Sequence, residues 1–171
     1  MSDFQSSDNS QADGQTEGSA VFNIQRMYLK DASLELPNSP RIFLDQTPPA
    51  VEVALAVGAE PLAEGIWEVT VTSTVTAKIE EKVLFLVECK QAGIFQMANI
   101  PLDQLDPIIG VVCPGIIYPY LRANVSDLLS RTGLPPVTLN EINFEAFYQQ
   151  RLAARQLEQQ SQLADASPSL Q

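Results

Sequence analysis

The side chains that could carry chemistry in this sequence are few and poorly matched. Serines are numerous, but the chain has no histidine. No Ser-His-Asp triad can form, and the usual neutral-pH proton shuttle and commonest metal ligand are missing. The two thiols, Cys89 and Cys113, have no CxxC spacing. They cannot make a four-ligand zinc site of the Cys/His kind and are expected to be buried and inert. The carboxylate pairs Glu80-Glu81 and Asp103/Asp106 have the composition of an acid/base dyad. Nothing around them suggests the burial that would separate two pKa values, so they read as solvated turn residues. No Gly-x-Gly, GKS or GKT occurs, which excludes a dinucleotide fingerprint and a phosphate loop. The sequence predicts no enzyme, no metal and no cofactor.

Charge narrows the partners. Ten Lys+Arg against twenty-one Asp+Glu leave a net charge of -11 on 171 residues. Nucleic-acid phosphates and anionic lipid heads repel such a chain, and no basic stretch offsets the effect. The first residues have neither the basic nor the apolar region of a secretory signal. The longest apolar run, residues 108–113, lies between prolines and is far shorter than a bilayer span. A cytoplasmic protein with no nucleic-acid partner and no stable membrane insertion is expected.

The elements follow from periodicity. Residues 67–78 alternate Trp67, Val69, Val71, Val75 and Ala77 with Glu68, four threonines and Lys78, as a half-buried antiparallel strand does. Glu80-Glu81-Lys82 turns the chain into a second strand, 83–95. There Val83, Phe85, Val87 and Cys89 share one face, and Leu84, Leu86, Glu88 and Lys90 the other. Residues 51–59, between Pro48-Pro49 and Pro61, make a third strand, and residues 21 to about 35 a fourth. The linker 37–49 holds four prolines and cannot join a sheet centre, yet it carries Ile42, Phe43 and Leu44. The second half reads helical. Pro107 and Pro114 sit at helix-start signals. Ile117, Tyr120, Leu121, Leu128 and Leu129 form a stripe that Gly133 ends, with Pro119 expected to kink the helix or delay its start. Asn143 reads as an N-cap with an Ile142–Phe147 staple, opening a helix over 144–157. Strands followed by helices make an α+β domain over 20–157, between polar tails expected to be disordered at 1–19 and 158–171.

Several segments also resemble a known family. Tyr28-Leu29-Lys30-Asp31-Ala32-Ser33-Leu34-Glu35-Leu36-Pro37-Asn38-Ser39-Pro40 is similar to the YxKDxSFExPxxP opening of the SecB protein-export chaperones. Cys113-Pro114-Gly115-Ile116-Ile117-Tyr118-Pro119-Tyr120-Leu121-Arg122 resembles the family's CPxxLFPYxR stretch. Ser130-Arg131-Thr132-Gly133-Leu134-Pro135 resembles its SRGxFP, and Asn143-Phe144-Glu145-Ala146-Phe147-Tyr148 its VNFDALY. Residues 85–95 are similar to its last strand. The match keeps its order across about 21–155, with Leu34 and Tyr118 in place of Phe, Ile142 in place of Val, and Thr47-Pro48-Pro49 where many members carry Trp.

The resemblance implies a four-stranded antiparallel sheet with two main C-terminal helices packed on one face, assembling as a homotetramer, a dimer of dimers. It implies an ATP-independent chaperone that holds unfolded precursor proteins and hands them to the SecA ATPase. The matching substrate-groove positions are Ile42, Phe43 and Leu44, with Tyr118, Phe144, Phe147 and Tyr148. The matching SecA-docking positions are Asp31, Glu35, Leu86 and Glu88. The zinc-binding tail of that contact belongs to SecA, so no metal is expected here. The competing readings are a SecB-like chaperone dedicated to an antitoxin, and a small α+β ligand-binding protein or enzyme.

Overall fold

The structure, a computed structural model, describes residues 18–165, with side chains through 161. The tail expected at 1–19 lies, but for residues 18 and 19, outside the described residues, as do 166–171 of the C-terminal one. Four long strands, β1 (Val21–Glu35), β2 (Ala50–Ala63), β3 (Ile66–Ile79) and β4 (Lys82–Ala98), form one antiparallel sheet in the order β1-β4-β3-β2. The alternation of β3 sets its register. Val69, Val71, Val75 and Ala77 are fully buried, while the threonines between them face the opposite side. In β4, Phe85, Val87, Cys89 and Phe95 join that buried face. The β2 strand runs through Pro61, opposite Trp67, instead of ending before it. An edge strand has one row of unpaired backbone groups, so proline is tolerated there.

The helical half departs from expectation at Pro107 and Pro119, which lie inside helices, whereas Pro114 sits in a first helical turn as expected. Helix α1 (Leu102–Pro107), a π turn (Ile108–Val112) and α2 (Cys113–Ser130) follow without a break. The π turn opens the hydrogen-bond ladder just ahead of Pro114, where an α-helix would lose a bond and crowd the ring. The resulting run Leu102–Ser130 is long and apolar enough to cross a membrane, but one side of α2 is used against the sheet. Cys113, Ile117, Leu121, Val125 and Leu129 recur every four residues and are buried against β3 and β4. Tyr118, next to that row, is buried as well, whereas Tyr120, placed on the stripe from sequence, is half exposed. Asn124 Nδ2 donates to Gln91 Oε1 at 2.8 Å, which pins α2 to β4. Gly133, at φ 74°, turns the chain away beyond α2. Helix α3 (Phe144–Asp165) starts at Asn143, whose Oδ1 accepts the Ala146 N–H at 3.0 Å, and runs past the boundary expected at 157.

Both cysteines are fully buried, Cys89 on β4 and Cys113 at the head of α2. Burial pushes their thiols up, to about 11 for Cys89 and about 12 for Cys113.

Two local devices have measurable consequences. Tyr148 on α3 lies against Gly110, where an added Cβ would stand 2.3 Å from the ring, and donates to Asp106 Oδ2 at 2.5 Å. Gly110→Ala gains up to about 1 kcal/mol of helix propensity, but the overlap costs about 1–3 kcal/mol. The expected result is a displaced Tyr148 and roughly tenfold faster amide exchange along α3, read by hydrogen–deuterium exchange. Unchanged exchange would mean that this contact does not hold the helix.

The other device lies on the opposite sheet face. Glu68 is 4 % exposed and accepts hydrogen bonds from Tyr28 and Lys30 on β1, reaching across β4. Burial pushes its carboxyl up, but the Lys30 and Tyr28 hydrogen bonds and the Lys30 charge outweigh this and hold its pKa below the usual value. A depressed carboxylate stabilises the fold above its unfolded pKa, and that stability is lost as pH falls through the folded value. Glu68→Gln is therefore expected to cost about 1–2 kcal/mol at pH 7. In urea melts the gap to the parent protein should narrow as the pH falls below about 4.5. A gap that stays constant with pH would exclude this ionised network.

Candidate functional site

The linker between β1 and β2 is held at two points, Asn38 and Ile42, and exposed over most of its remaining length. Asn38 Nδ2 donates to the Val83 carbonyl at 3.0 Å, and the 3-10 turn Arg41–Leu44 follows. A turn that short can send only one side chain inward, and Ile42 takes that role at 5 % exposure. Phe43 remains 42 % exposed and Leu44 82 %.

Between this linker, β2 and the segment 132–142 lie two depressions on the helix side of the sheet. One, of about 560 Å³, takes in Phe43, Val51, Leu84 and the 132–137 segment. The other, of about 470 Å³, takes in Val53, Leu55, Leu139, Ile142 and Phe147. They share Val51 and Val137, so they form one trough along β2. Its lining is mostly apolar, and the inward residues of the edge strand stay open because they lie beyond the reach of α2. Val51 and Val53 are 42 % and 49 % exposed although they point to the same side as the core residues Ala77 and Val75.

The positions expected to line a groove separate into two groups. Phe43 and Phe147 line the trough. Ile42, Tyr118 and Phe144 are 5 %, 4 % and 6 % exposed and form its floor and the core beneath. Phe144 packs edge-on against both Tyr118 and Phe147, at 5.4 and 6.2 Å between ring centres. The Tyr118 hydroxyl donates to the Asn140 carbonyl at 2.6 Å, and burial raises its pKa. Leu44 stands out in solvent, and Tyr148 faces a different cleft, beside Gly110. Sequence reasoning missed Val51, Val53 and Leu55. Their period-two alternation was visible, but not that one flank of the strand would lack a helix.

The second set comes together on the opposite face. Register places Glu35 beside Leu86, Ser33 beside Glu88 and Asp31 beside Lys90, so Asp31, Glu35, Leu86 and Glu88 share one side of two adjacent strands. Asp31 and Glu35 are exposed, Leu86 and Glu88 partly so. Thr72, Thr74 and Thr76 continue these rows on β3. The result is a surface whose rows carry three carboxylates, one apolar side chain and Lys90, with Lys30 at its border. Among the described residues, no group of three or more His, Cys, Asp or Glu could hold a metal ion.

The family model of SecB, described as preprotein translocase subunit SecB, matches residues 15–155. A protein-export protein SecB from Janthinobacterium sp. (strain Marseille) is 67 % identical over 134 residues, 78 % of this chain and 82 % of its own. Another, from Ralstonia pickettii (strain 12J), is 58 % identical over 156 residues, 91 % of this chain and 90 % of its own. Among solved structures, a SecB-like chaperone of Mycobacterium tuberculosis, in complex with a ChAD peptide from an antitoxin, has TM-score 0.58. It is 16 % identical and covers 71 % of this chain and 90 % of its own, a likeness of fold. The sheet order, the helices on one face and the motifs in register agree with these matches, and the chain belongs to the SecB family of protein-export chaperones.

Proposed function

We propose that the trough along β2 is where this chaperone holds unfolded precursor proteins, with Phe43, Val51, Val53 and Phe147 as its apolar contacts. One observation carries the reading: a continuous, mostly apolar trough is open to water on a chain of net charge -11. Exposed apolar surface of this kind favours aggregation, and self-repulsion between highly charged particles opposes it. Apolar contact along a groove carries little sequence information, so many clients fit. The unpaired edge of β2 adds backbone donors and acceptors that any extended chain can meet. The working form is a homotetramer, a dimer of dimers, in the cytoplasm. Several weak grooves on one particle then act together through effective concentration and capture long chains tightly. The acidic face of Asp31, Glu35, Leu86 and Glu88 delivers the cargo to SecA, with no nucleotide hydrolysis by the chaperone itself. Relatives that carry the export name at this level of identity favour export clients over a single antitoxin.

Native mass spectrometry with and without a reduced, unfolded precursor tests the assembly and the capture together. Four chains carrying one client are expected. A monomer that ignores non-native polypeptide overturns the reading.

A further inference from the structure

A third cleft, of about 550 Å³, lies apart from the trough, between β2, α1 and α3. Val57, Trp67, Leu102 and Leu105 give it apolar walls, and Arg151 and Arg155 stand one helical turn apart on its rim. Its one lining carboxylate, Asp106, already accepts the Tyr148 hydroxyl. Among the described residues neither arginine has an ion-pair partner. Two unpaired guanidinium groups over an apolar cleft, on a chain this acidic, suit an occupant with carboxylates and an apolar anchor.

The chain carries such a segment. Residues 1–17 hold Asp3, Asp8, Asp13 and Glu17, no lysine or arginine, and one aromatic, Phe4. They lead into the structure beside the cleft. Asn99 Nδ2 donates to the Ser19 carbonyl at 3.2 Å, and Val21 pairs with Ala98. Leu102, on the cleft wall, follows three residues after Asn99, a span of at most about 10 Å. Phe4 lies fourteen residues before Gly18, a reach of at most about 50 Å. A tether of that length keeps its end near the cleft at about millimolar effective concentration. We propose that residues 1–17 seat in this cleft, with Phe4 against Trp67 and the tail carboxylates on Arg151 and Arg155. The inference does not depend on the client reading, because the two sites have no lining residue in common.

Trp67 is the chain's one tryptophan and lines the cleft, so its fluorescence reports the occupant directly. Acrylamide quenching of Trp67 would be measured in the full-length assembled protein. Phe4→Ser, Asp8→Lys/Asp13→Lys and Arg151→Glu/Arg155→Glu are each expected to raise it roughly twofold, as a half-occupied site empties. Joining the tail and rim reversals in one chain should return quenching toward the parent value, and added salt should mimic the single reversals. Two results overturn the proposal. One is quenching indifferent to both tail variants. The other is an effect that depends on protein concentration, which would assign the cleft to a second copy of the chain.

Discussion

Phe144→Ala is expected to lower stability by about 3–4 kcal/mol, whereas Phe43→Ala stays within about 1 kcal/mol of the parent. The resemblance to the family led both phenylalanines to be expected in a groove, but the chain around them differs. Phe144 is 6 % exposed and wedged between Tyr118 and Phe147, so truncation leaves a cavity that the α3 start, Asn143 and the 132–142 segment can close only in part. Phe43 is turned outward by the inward anchoring of Ile42, and water already reaches it. Its loss should appear in client affinity, weakened about tenfold as the burial of one aromatic face is forfeited. Urea melts at constant slope, run beside titration of an unfolded precursor, separate the two effects. A Phe43→Ala protein that melts early, or one that binds client as well as the parent, would remove Phe43 from the contact surface.

Reversing charge on the other sheet face should spare both properties and strike delivery. Glu88→Lys is expected to weaken SecA binding about tenfold, and Asp31→Lys/Glu88→Lys about a hundredfold, with tetramer and client capture intact. The register explains the choice. Glu88 lies in the row of Ser33, between the row of Asp31 and Lys90 and that of Glu35 and Leu86, so a lysine there divides the acidic surface at its centre. Exposed charges act through a screened field, so the parent contact should also weaken steeply as ionic strength rises. Calorimetric titration gives both readings. Equal affinities for parent and Glu88→Lys, or a contact indifferent to salt, would exclude Glu88 from the docking surface.

What the sequence disclosed followed the reach of local rules. Alternation was plain in β3, which has one dry face against α2 and one face of threonines and charges, and in β4 over Phe85–Lys90, where core residues alternate with Leu86, Glu88 and Lys90. The Asn143 cap was legible because a cap is settled within four residues. Pro114 does open α2, as its position suggested, but the prolines at 107 and 119 misled because the helical run absorbs them, partly through a π turn whose existence depends on tertiary packing. Pro61 misled for a related reason, since only the sheet order reveals that β2 is an edge. The candidate site was harder still. Phe43 and Phe144 have the same side chain, and no period separates a residue turned outward by a buried neighbour from one enclosed by two rings. The resemblance to a family nominated both for a groove, and packing leaves Phe43 open to solvent and Phe144 enclosed.

The two sequestered sulfhydryls make this protein chemically quiet toward electrophiles. Only a thiolate attacks a maleimide or a disulfide, and at neutral pH neither Cys89 nor Cys113 supplies one. The folded chain can therefore pass through oxidising conditions without cross-linking to its cargo. A cysteine installed at Val53 or Leu44 would be its sole labelling handle, so dyes and spin probes can be attached to the native background without first removing residues that the core needs.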